Sequence, residues 1–504
     1  MYKADVQREI PLIKRALSFT AFRVFLHSMI YFASPETFLK TLEEFLDICH
    51  ANGIGVGFVF FDDCWHHSGL DLQKPCLPTK GLHNDCWMAS PQDVERYLGV
   101  EHFKPYVQDL VRKFGQDPRV LWWEIINEPG IRKHPYPQGN FSEALRAAAF
   151  HWCKDLSPRQ PVISCWNEAD DTTRGTNTSI SNSELNDAHQ YNVPWNGTSN
   201  AVFQNLTGKM KGGLVTEAGA RWYQGYPTDD GSPLTVVDWL TKLRGNPGAK
   251  FVPGVMLDWE VMVSNSNTRW HWFTPANAAE PAIPWHQHLF PDGSPVSYTE
   301  AAAIRRYITG KDDFIYFDDF LKDSNPNSDE RFYVLSENAF RVPLPGTLHE
   351  ALVEMAVWPT PLSTVVAKLG TLEVRLDVPR AQLSLVGHRN FSTAALECGV
   401  LSSSITATPK RAAWNMLRVL VKAGRVAVWL NPMYPEAFPD RAPMPSEPSR
   451  TIRALPPRFD VAVGQPLLGE IQVTADQGAL LDYISVLPAV TYGTDWQPSA
   501  EVFT

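Results

Sequence analysis

The sequence predicts an α/β protein, with a (β/α)8 barrel over residues 1–310 and an antiparallel β-sandwich over residues 331–504. In the first part, short apolar runs alternate with amphipathic helical stretches, which is the pattern of parallel strands connected by helices. Beyond residue 330, helical periodicity gives way to alternating strands and tight turns. The polar segment 311–330, which ends in KDSNPNSDE, is predicted to link the two domains.

One repeat of the predicted barrel shows the pattern clearly. Ser34 is a suitable helix cap, Pro35 fits the first helical turn and Gly53 ends the helix. The next run, GVGFVFF, is apolar on both faces, as a strand buried beneath helices must be. Apolar residues recur at helical spacing in the predicted helix, namely at Phe38, Leu39, Leu42, Phe45, Leu46 and Cys49.

Seven strands are predicted in this domain, whereas a closed barrel of this type has eight. The opening segment MYKADVQREIPLIKRALSF has helical periodicity and leads into the first visible strand, so the strand that is not seen should be the first. We therefore expect the N-terminus to be incomplete. The predicted strands lie near residues 20–27, 54–61, 120–127, 161–165, 187–191, 213–217 and 253–259.

Composition and charge argue against several classes of function. The chain has 504 residues and a net charge of −10 without a basic cluster, which argues against nucleic acid or an anionic membrane as its main partner. It has no apolar run of about 18 residues, so no membrane span is predicted. Seventeen Trp and fifteen Tyr residues exceed the needs of a core and favour a carbohydrate ligand, although core packing is the alternative for each ring.

Cysteine spacing and glycosylation motifs indicate the cellular compartment in which the protein folds. The chain has seven cysteines, so at least one thiol is unpaired. Cys64, Cys76 and Cys86 crowd one loop and could include one disulfide, but their spacing fits no zinc signature and no metal or cofactor is predicted. Five Asn-x-Ser/Thr motifs favour a secreted glycoprotein. Because no apolar segment follows Met1, we expect a signal peptide to have been lost with the first strand. The motifs begin at Asn140, Asn177, Asn196, Asn205 and Asn390.

The strongest chemical signal is LWWEIINEPG, residues 121–130, in which an apolar strand ends in Asn127-Glu128. The C-terminal ends of barrel strands face the active site. Apolar walls around Glu128 would favour the protonated form that a general acid needs. Asn127 could hydrogen-bond the 2-hydroxyl of a sugar. The alternative is a turn that only ends the strand.

The second signal is GGLVTEAGARW, residues 212–222, in which another apolar strand ends in Glu217. This strand is the third after the one that carries Glu128, so we expect the two carboxylates to face each other across the barrel mouth. A separation of about 5 Å would make Glu217 a nucleophile and Glu128 an acid/base. A further pair, Asn167-Glu168, ends the strand that follows the one with Glu128 and is interpreted as a binding-loop or structural pair.

Together these motifs resemble glycoside hydrolase clan A, and most closely the cellulase-like enzymes of family 5. In that clan the Asn-Glu pair ends strand four and the nucleophile ends strand seven. Here they end visible strands three and six, which is the offset expected if the first strand is absent. The resemblance implies that Arg23 supports the nucleophile, that His189 and Tyr191 form the His-x-Tyr motif whose Tyr positions it, and that Trp259 is a platform for the sugar.

The long loop at residues 62–87 follows the second visible strand and is rich in polar and aromatic residues. Loops in this position commonly build a substrate cleft. The alternative is a surface loop held by a disulfide. Candidate sugar contacts in this loop are Asp62, Trp65, His83 and Trp87.

The predicted function is a retaining glycoside hydrolase that cleaves β-linked poly- or oligosaccharides by double displacement and needs no cofactor. The rival from another class is a non-catalytic carbohydrate-binding protein on a degenerate barrel. Transglycosylation would use the same residues and stays open. The C-terminal domain contains FDDF (317–320) and WNMLRVLVKAGRVAVWLNP (414–432), and the latter predicts two strands joined by a tight Ala-Gly turn. On these segments it resembles concanavalin A-like β-sandwiches, which implies either glycan binding or a purely structural module.

Overall fold

The computed structural model covers the chain in segments. The structure describes residues 3–62, 99–128, 139–164, 182–190, 213–218, 236–237, 240, 254–257, 261–262, 267–270, 283–318, 333–335, 339–359, 362–370, 372–380, 382–386, 394–395, 415–422, 424–430, 459–462, 468–476 and 479–489.

The N-terminal part contains parallel strands at all seven predicted positions. They form a four-stranded sheet in the order β1-β2-β3-β4 and a three-stranded sheet in the order β5-β6-β7, and β1 lies beside β7. The described chain is therefore mixed α/β, as predicted, and its closure into an eight-stranded barrel stays a prediction. The strands are β1 (Ala21–Phe25), β2 (Gly55–Asp62), β3 (Val120–Asn127), β4 (Val162–Ile163), β5 (Asn186–Gln190), β6 (Gly213–Ala218) and β7 (Gly254–Leu257).

Helices cover these sheets. The predicted helix after Ser34 is present, but the Ser34 hydroxyl donates to Thr37 Oγ1 at 2.8 Å and makes no hydrogen bond to the helix backbone. Gly53, just beyond the helix, has a φ of 66°, which favours glycine. The helices are α1 (Lys3–Leu17), α2 (Ser28–Ala33), α3 (Pro35–Ala51), α4 (Lys104–Phe114), α5 (Gly139–Lys154) and α6 (Tyr298–Thr309), with short 3-10 helices at Val100–Phe103 and Asn267–Arg269.

The centre of the four-stranded sheet is packed by aromatic rings. Phe60 on β2 stacks on Trp123 of β3 with ring centroids 5.3 Å apart. Gly57 lies against Trp122, and a Cβ atom at this position would be 1.9 Å from the indole ring. Since real Cβ atoms do not come this close, glycine is required for the contact between β2 and β3.

The C-terminal part consists of two antiparallel sheets whose buried side chains form one apolar cluster. The predicted hairpin at NMLRVLVKAGRVAVWLNP is observed as β16 paired with β17. The segment 311–330, predicted as a linker, contains β8, which pairs with β20. The predicted domain boundaries stay a prediction. The strands are β8 (Tyr316–Asp318), β9 (Tyr333–Val334), β10 (Phe340–Leu348), β11 (Ala351–Trp358), β12 (Thr364–Leu369), β13 (Leu372–Asp377), β14 (Gln382–Val386), β15 (Ala394–Ala395), β16 (Asn415–Lys422), β17 (Arg425–Leu430), β18 (Phe459–Ala462), β19 (Leu468–Ala475) and β20 (Leu480–Leu487).

Strand β11 joins the two parts because both of its faces are buried. Val353 and Met355 point into the cluster between the sheets, whereas Leu352 packs with residues of the N-terminal part. Glu354, which lies between Val353 and Met355 in the sequence, is fully buried. It accepts hydrogen bonds from the Tyr298 and Thr299 amides at the start of α6, at 3.0 and 3.1 Å. A side chain of the C-terminal part thus caps a helix of the N-terminal part.

The carboxylate of Glu354 is also paired. Arg418 on β16 donates to Glu354 Oε2 through Nε at 3.1 Å and through Nη2 at 2.9 Å. Burial alone would raise the pKa of Glu354, but the Arg418 charge and the hydrogen bonds from Ser297 and the α6 amides hold that pKa below its ordinary value. Glu354 therefore carries a charge at neutral pH.

Three remaining predictions concern thiols, glycosylation and membranes. Cys49 and Cys153 are buried free thiols, which agrees with an unpaired cysteine, and Cys64, Cys76 and Cys86 lie outside the described residues. Of the five glycosylation motifs, only that of Asn140 begins on a described residue, in α5. No described helix is long and apolar enough to cross a membrane.

Candidate active site

The C-terminal ends of the parallel strands bring polar side chains from both sheets together. Six of the predicted site residues are described, and hydrogen bonds join them into one buried group. β1, β2 and β3 contribute one residue each, another follows β3 directly, and β5 and β6 contribute the last two. These residues are Arg23, Asp62, Asn127, Glu128, His189 and Glu217.

Arg23 is the centre of this group, with a side chain that is 5% exposed. Its Nη1 donates to Glu217 Oε1 at 2.6 Å. Its Nε and Nη2 donate to the two oxygens of Glu124 at 2.7 and 2.5 Å. Burial alone would lower the pKa of Arg23, but the charges of Glu124 and Glu217 hold it well above its ordinary value. Arg23 therefore remains a cation that orients both carboxylates.

Asn127 links Arg23 to the end of β2. Its Oδ1 accepts from Arg23 Nη2 at 2.7 Å, and its Nδ2 donates to Asp62 Oδ1 at 2.8 Å. Asp62 is 1% exposed, and its predicted contact with a sugar stays a prediction. The expected contact between Asn127 and a substrate hydroxyl stays a prediction. The Asn127 side chain is fully buried.

Glu128 and Glu217 meet at His189. His189 Nδ1 lies 2.6 Å from Glu128 Oε1 and 3.3 Å from Glu217 Oε2. Glu128 is 8% exposed and Glu217 is 2% exposed, so both carboxyl groups are largely shielded from solvent. Glu128 has a φ of 42°, in the left-handed region, because the chain turns sharply as it leaves β3.

The same three side chains are the described residues that could share a metal ion. One ligand atom from each lies within 4.8 Å of the other two. Two ligands of one zinc ion, each about 2.0–2.2 Å from the metal, lie roughly 3.3 Å apart. The 2.6 Å between His189 Nδ1 and Glu128 Oε1 is the length of a hydrogen bond. We therefore interpret the group as a hydrogen-bonded set.

The other predicted site residues lie outside the described residues. They are Tyr191 of the His-x-Tyr motif, Trp259 and the three loop residues Trp65, His83 and Trp87. Their roles stay predictions.

The sequence did not point to three residues of this group, which are Glu124, Asp187 and Thr216. Glu124 lies in the middle of the apolar strand β3 and pairs with Arg23. Asp187 at the start of β5 is 2% exposed and accepts a hydrogen bond from the Thr216 hydroxyl. A carboxylate inside an apolar strand signals a buried partner, because burial without one is costly. That signal was available for Glu124 in LWWEIIN.

No protein-family model matches the sequence, and no curated protein matches it. The chain is similar to the solved structure of GH5_18 from Streptomyces cattleya in complex with GlcNAc, with 14% identity, a TM-score of 0.42 and coverage of 62% of this chain and 76% of that one.

Two mannanases are also similar. For the endo-β-1,4-mannanase from Thermotoga petrophila, the identity is 10%, the TM-score is 0.41, and the match covers 79% of this chain and 94% of that one. For the endo-1,4-β-mannanase from Rhizomucor miehei, the identity is 11%, the TM-score is 0.37, and the match covers 52% and 83%. At such distances the chemistry of this chain has to be inferred from its own residues.

Proposed function

We propose that this chain is a retaining β-glycoside hydrolase of clan A, with Glu217 as the nucleophile and Glu128 as the acid/base. The observation that carries the proposal is the proximity of two buried carboxylates, because one oxygen of each lies within 4.8 Å of the other. Retaining enzymes hold their carboxyl groups about 5–5.5 Å apart, whereas inverting enzymes need about 6.5–9.5 Å to admit a water. The spacing therefore supports double displacement.

In the proposed first step, a carboxylate oxygen of Glu217 attacks the anomeric carbon and forms a C–O bond. The bond between that carbon and the leaving oxygen breaks, and Glu128 gives its proton to the leaving oxygen. Arg23 Nη1 donates to Glu217 Oε1 at 2.6 Å, so Oε2 is the oxygen proposed to attack, and the charge of the guanidinium favours an ionised carboxylate. The product of this step is a glycosyl ester on Glu217.

In the second step, Glu128 takes a proton from a water molecule whose oxygen attacks the anomeric carbon. The ester bond breaks and Glu217 returns to a carboxylate, so that two inversions give net retention. The negative charge of Glu217 favours a proton on Glu128 before the reaction. Esterification removes that charge, so Glu128 can ionise and act as a base in the second step.

Chemical rescue tests the catalytic role proposed for each glutamate. Purified protein is assayed for sugar release from β-linked glucans, mannans and xylans and from aryl β-glycosides. Glu128→Ala and Glu217→Ala should both lose hydrolysis of these substrates. Azide should restore turnover of an activated aryl glycoside in each variant, giving a β-glycosyl azide with Glu128→Ala and an α-glycosyl azide with Glu217→Ala.

Other results would change the proposal. If the two variants gave azides of the opposite configurations, the roles of Glu128 and Glu217 would be exchanged. An inverted anomer as the first product of the wild-type protein would contradict double displacement. Binding of a β-glycan without turnover by the wild-type protein would favour the non-catalytic alternative.

A further inference from the structure

Strand β6 has one extra residue, without a counterpart, in its pairing with each of its two neighbouring strands. Val215 is opposite Ala188 of β5 and Glu217 is opposite His189, so Thr216 has no counterpart on β5. On the other side, Val215 is opposite Val255 of β7 and Ala218 is opposite Leu257, which again leaves one extra residue on β6. An extra residue of this kind bends a strand and changes the direction of the next side chain. That next side chain is Glu217.

Asp187 holds the extra residue in place. The Thr216 hydroxyl donates to Asp187 Oδ1, and the two side chains are 1% and 2% exposed. Asp187 lies two residues before His189 on β5, so the two side chains project from the same face of the strand. β5 therefore contributes two residues. His189 contacts the carboxylates of the site, and Asp187 contacts the strand that carries Glu217.

Charged groups from three strands surround Asp187. Burial and the charge of Glu124 on β3 raise the pKa of Asp187 to about 7, against the opposing effects of His189, Arg23 and the Thr216 hydroxyl. A carboxyl with this pKa is largely protonated below neutral pH. In either form its oxygen can accept the Thr216 hydrogen bond, so the contact does not require a charge.

We propose that Asp187 is a positioning residue for the nucleophile, because it accepts the Thr216 hydroxyl and thereby fixes the extra residue of β6 that aims Glu217 at Arg23. The inference rests on the proposed function for its kinetic consequences. Its structural consequence, the orientation of Glu217, does not depend on activity.

The kinetic test removes each partner and compares it with a conservative variant. Asp187→Ala and Thr216→Val should each lower kcat about 10- to 100-fold with little change in KM, because a displaced nucleophile slows the chemical step. Asp187→Asn keeps an acceptor oxygen and Thr216→Ser keeps a hydroxyl, so both should stay within about threefold of the wild-type kcat. The Asp187→Ala/Thr216→Val double variant should be no slower than the single variants, since they break the same contact.

Additive losses in the double variant would overturn the proposal, and so would a wild-type kcat for Thr216→Val. Crystal structures of Thr216→Val and Asp187→Asn provide a readout that is independent of turnover. We expect the 2.6 Å contact between Arg23 Nη1 and Glu217 Oε1 to be lost in Thr216→Val and kept in Asp187→Asn. Retention in Thr216→Val would reject the positioning role, whereas a wild-type protein that cleaves no glycoside would reject only the proposed function.

Discussion

Arg23 Nη1 donates to Glu217 Oε1 at 2.6 Å and joins two residues that lie 194 positions apart. The other nitrogens of the same guanidinium are bonded to Glu124 and Asn127. A planar guanidinium can make all of these contacts in fixed directions, whereas a lysine ammonium is a compact charge on a flexible stem. Arg23 of β1, which is also hydrogen-bonded to β3, therefore fixes the position of Glu217 in addition to its own strand.

Replacing Arg23 tests whether its hydrogen bonds position Glu217. We expect Arg23→Lys to lower kcat/KM by about 100-fold, because one ammonium cannot hold Glu124 and Glu217 together. Arg119→Lys is the matched control, since Arg119 also bonds two carboxylates, Asp117 and Asp47, but precedes β3 at its N-terminal end. Initial rates on an aryl β-glycoside give the comparison. A wild-type rate for Arg23→Lys would exclude Arg23 from the mechanism.

Asp187 should make stability depend on pH. Its pKa is raised to about 7 in the folded protein, above the ordinary value of about 3.9. Between these values the folded state keeps a proton that the unfolded state releases, so stability falls as the pH rises and levels off above the folded pKa.

Asp187→Asn does not titrate, so it should stabilise the protein relative to wild type more at pH 8 than at pH 5. Urea midpoints at the two pH values measure this difference. Glu101→Gln, at a side chain that is 75% exposed, is the control and should follow the wild-type pH dependence. Parallel curves for Asp187→Asn and wild type would show that Asp187 does not titrate in this range.

The pair of Glu354 and Arg418 should stabilise both domains together. Glu354→Gln leaves the Arg418 guanidinium buried without a counter-charge, which costs about 3–5 kcal/mol of unfolding free energy. Because the pKa of Glu354 is lowered by folding, its stabilising effect is present above about pH 4.3 and is lost as the pH falls through the folded pKa. The difference between variant and wild type should therefore shrink in acid.

Calorimetry checks the Glu354 prediction. Glu470→Gln, in the exposed pair with Arg341, is the matched control and should unfold like the wild type. A separate early transition for one domain in Glu354→Gln would show that this contact couples the two parts. An unchanged melting profile would show that the pair contributes little.

Gly57 should tolerate no side chain. A Cβ atom there meets the Trp122 ring at 1.9 Å, so Gly57→Ala should destabilise the protein by about 1–3 kcal/mol or more through overpacking. Gly55→Ala in the same strand is the control. Its Cβ meets the Leu121 side chain at 2.7 Å, and Leu121 is 39% exposed and free to move aside. Equal losses of stability in the two variants would contradict a specific clash with Trp122.

The parallel strands could be predicted because a strand buried on both faces leaves a continuous apolar run, as in GVGFVFF. The positions of Glu128 and Glu217 at strand ends could be predicted because each ends such a run, and their catalytic roles stay predictions. Asp187 and Thr216 could not, since their contact depends on a register shift between β5 and β6 that neither strand reveals by itself. The contact from Glu354 to α6 was missed for a related reason. It joins residues that are far apart in the sequence, and only the charge within the apolar strand ALVEMAVW signals it.

The backbone of Glu128 shows what the site costs the fold. At a φ of 42° a residue with a Cβ atom is strained, whereas glycine and asparagine adopt this region readily. The carboxylate lies at a position where the chain conformation favours another residue, so under the proposed function selection for turnover and selection for stability would act in opposite directions here. We expect Glu128→Asn to be inactive and about 1 kcal/mol more stable than the wild type in chemical denaturation. A variant that is less stable would mean that the contact between Glu128 and His189 outweighs the strain.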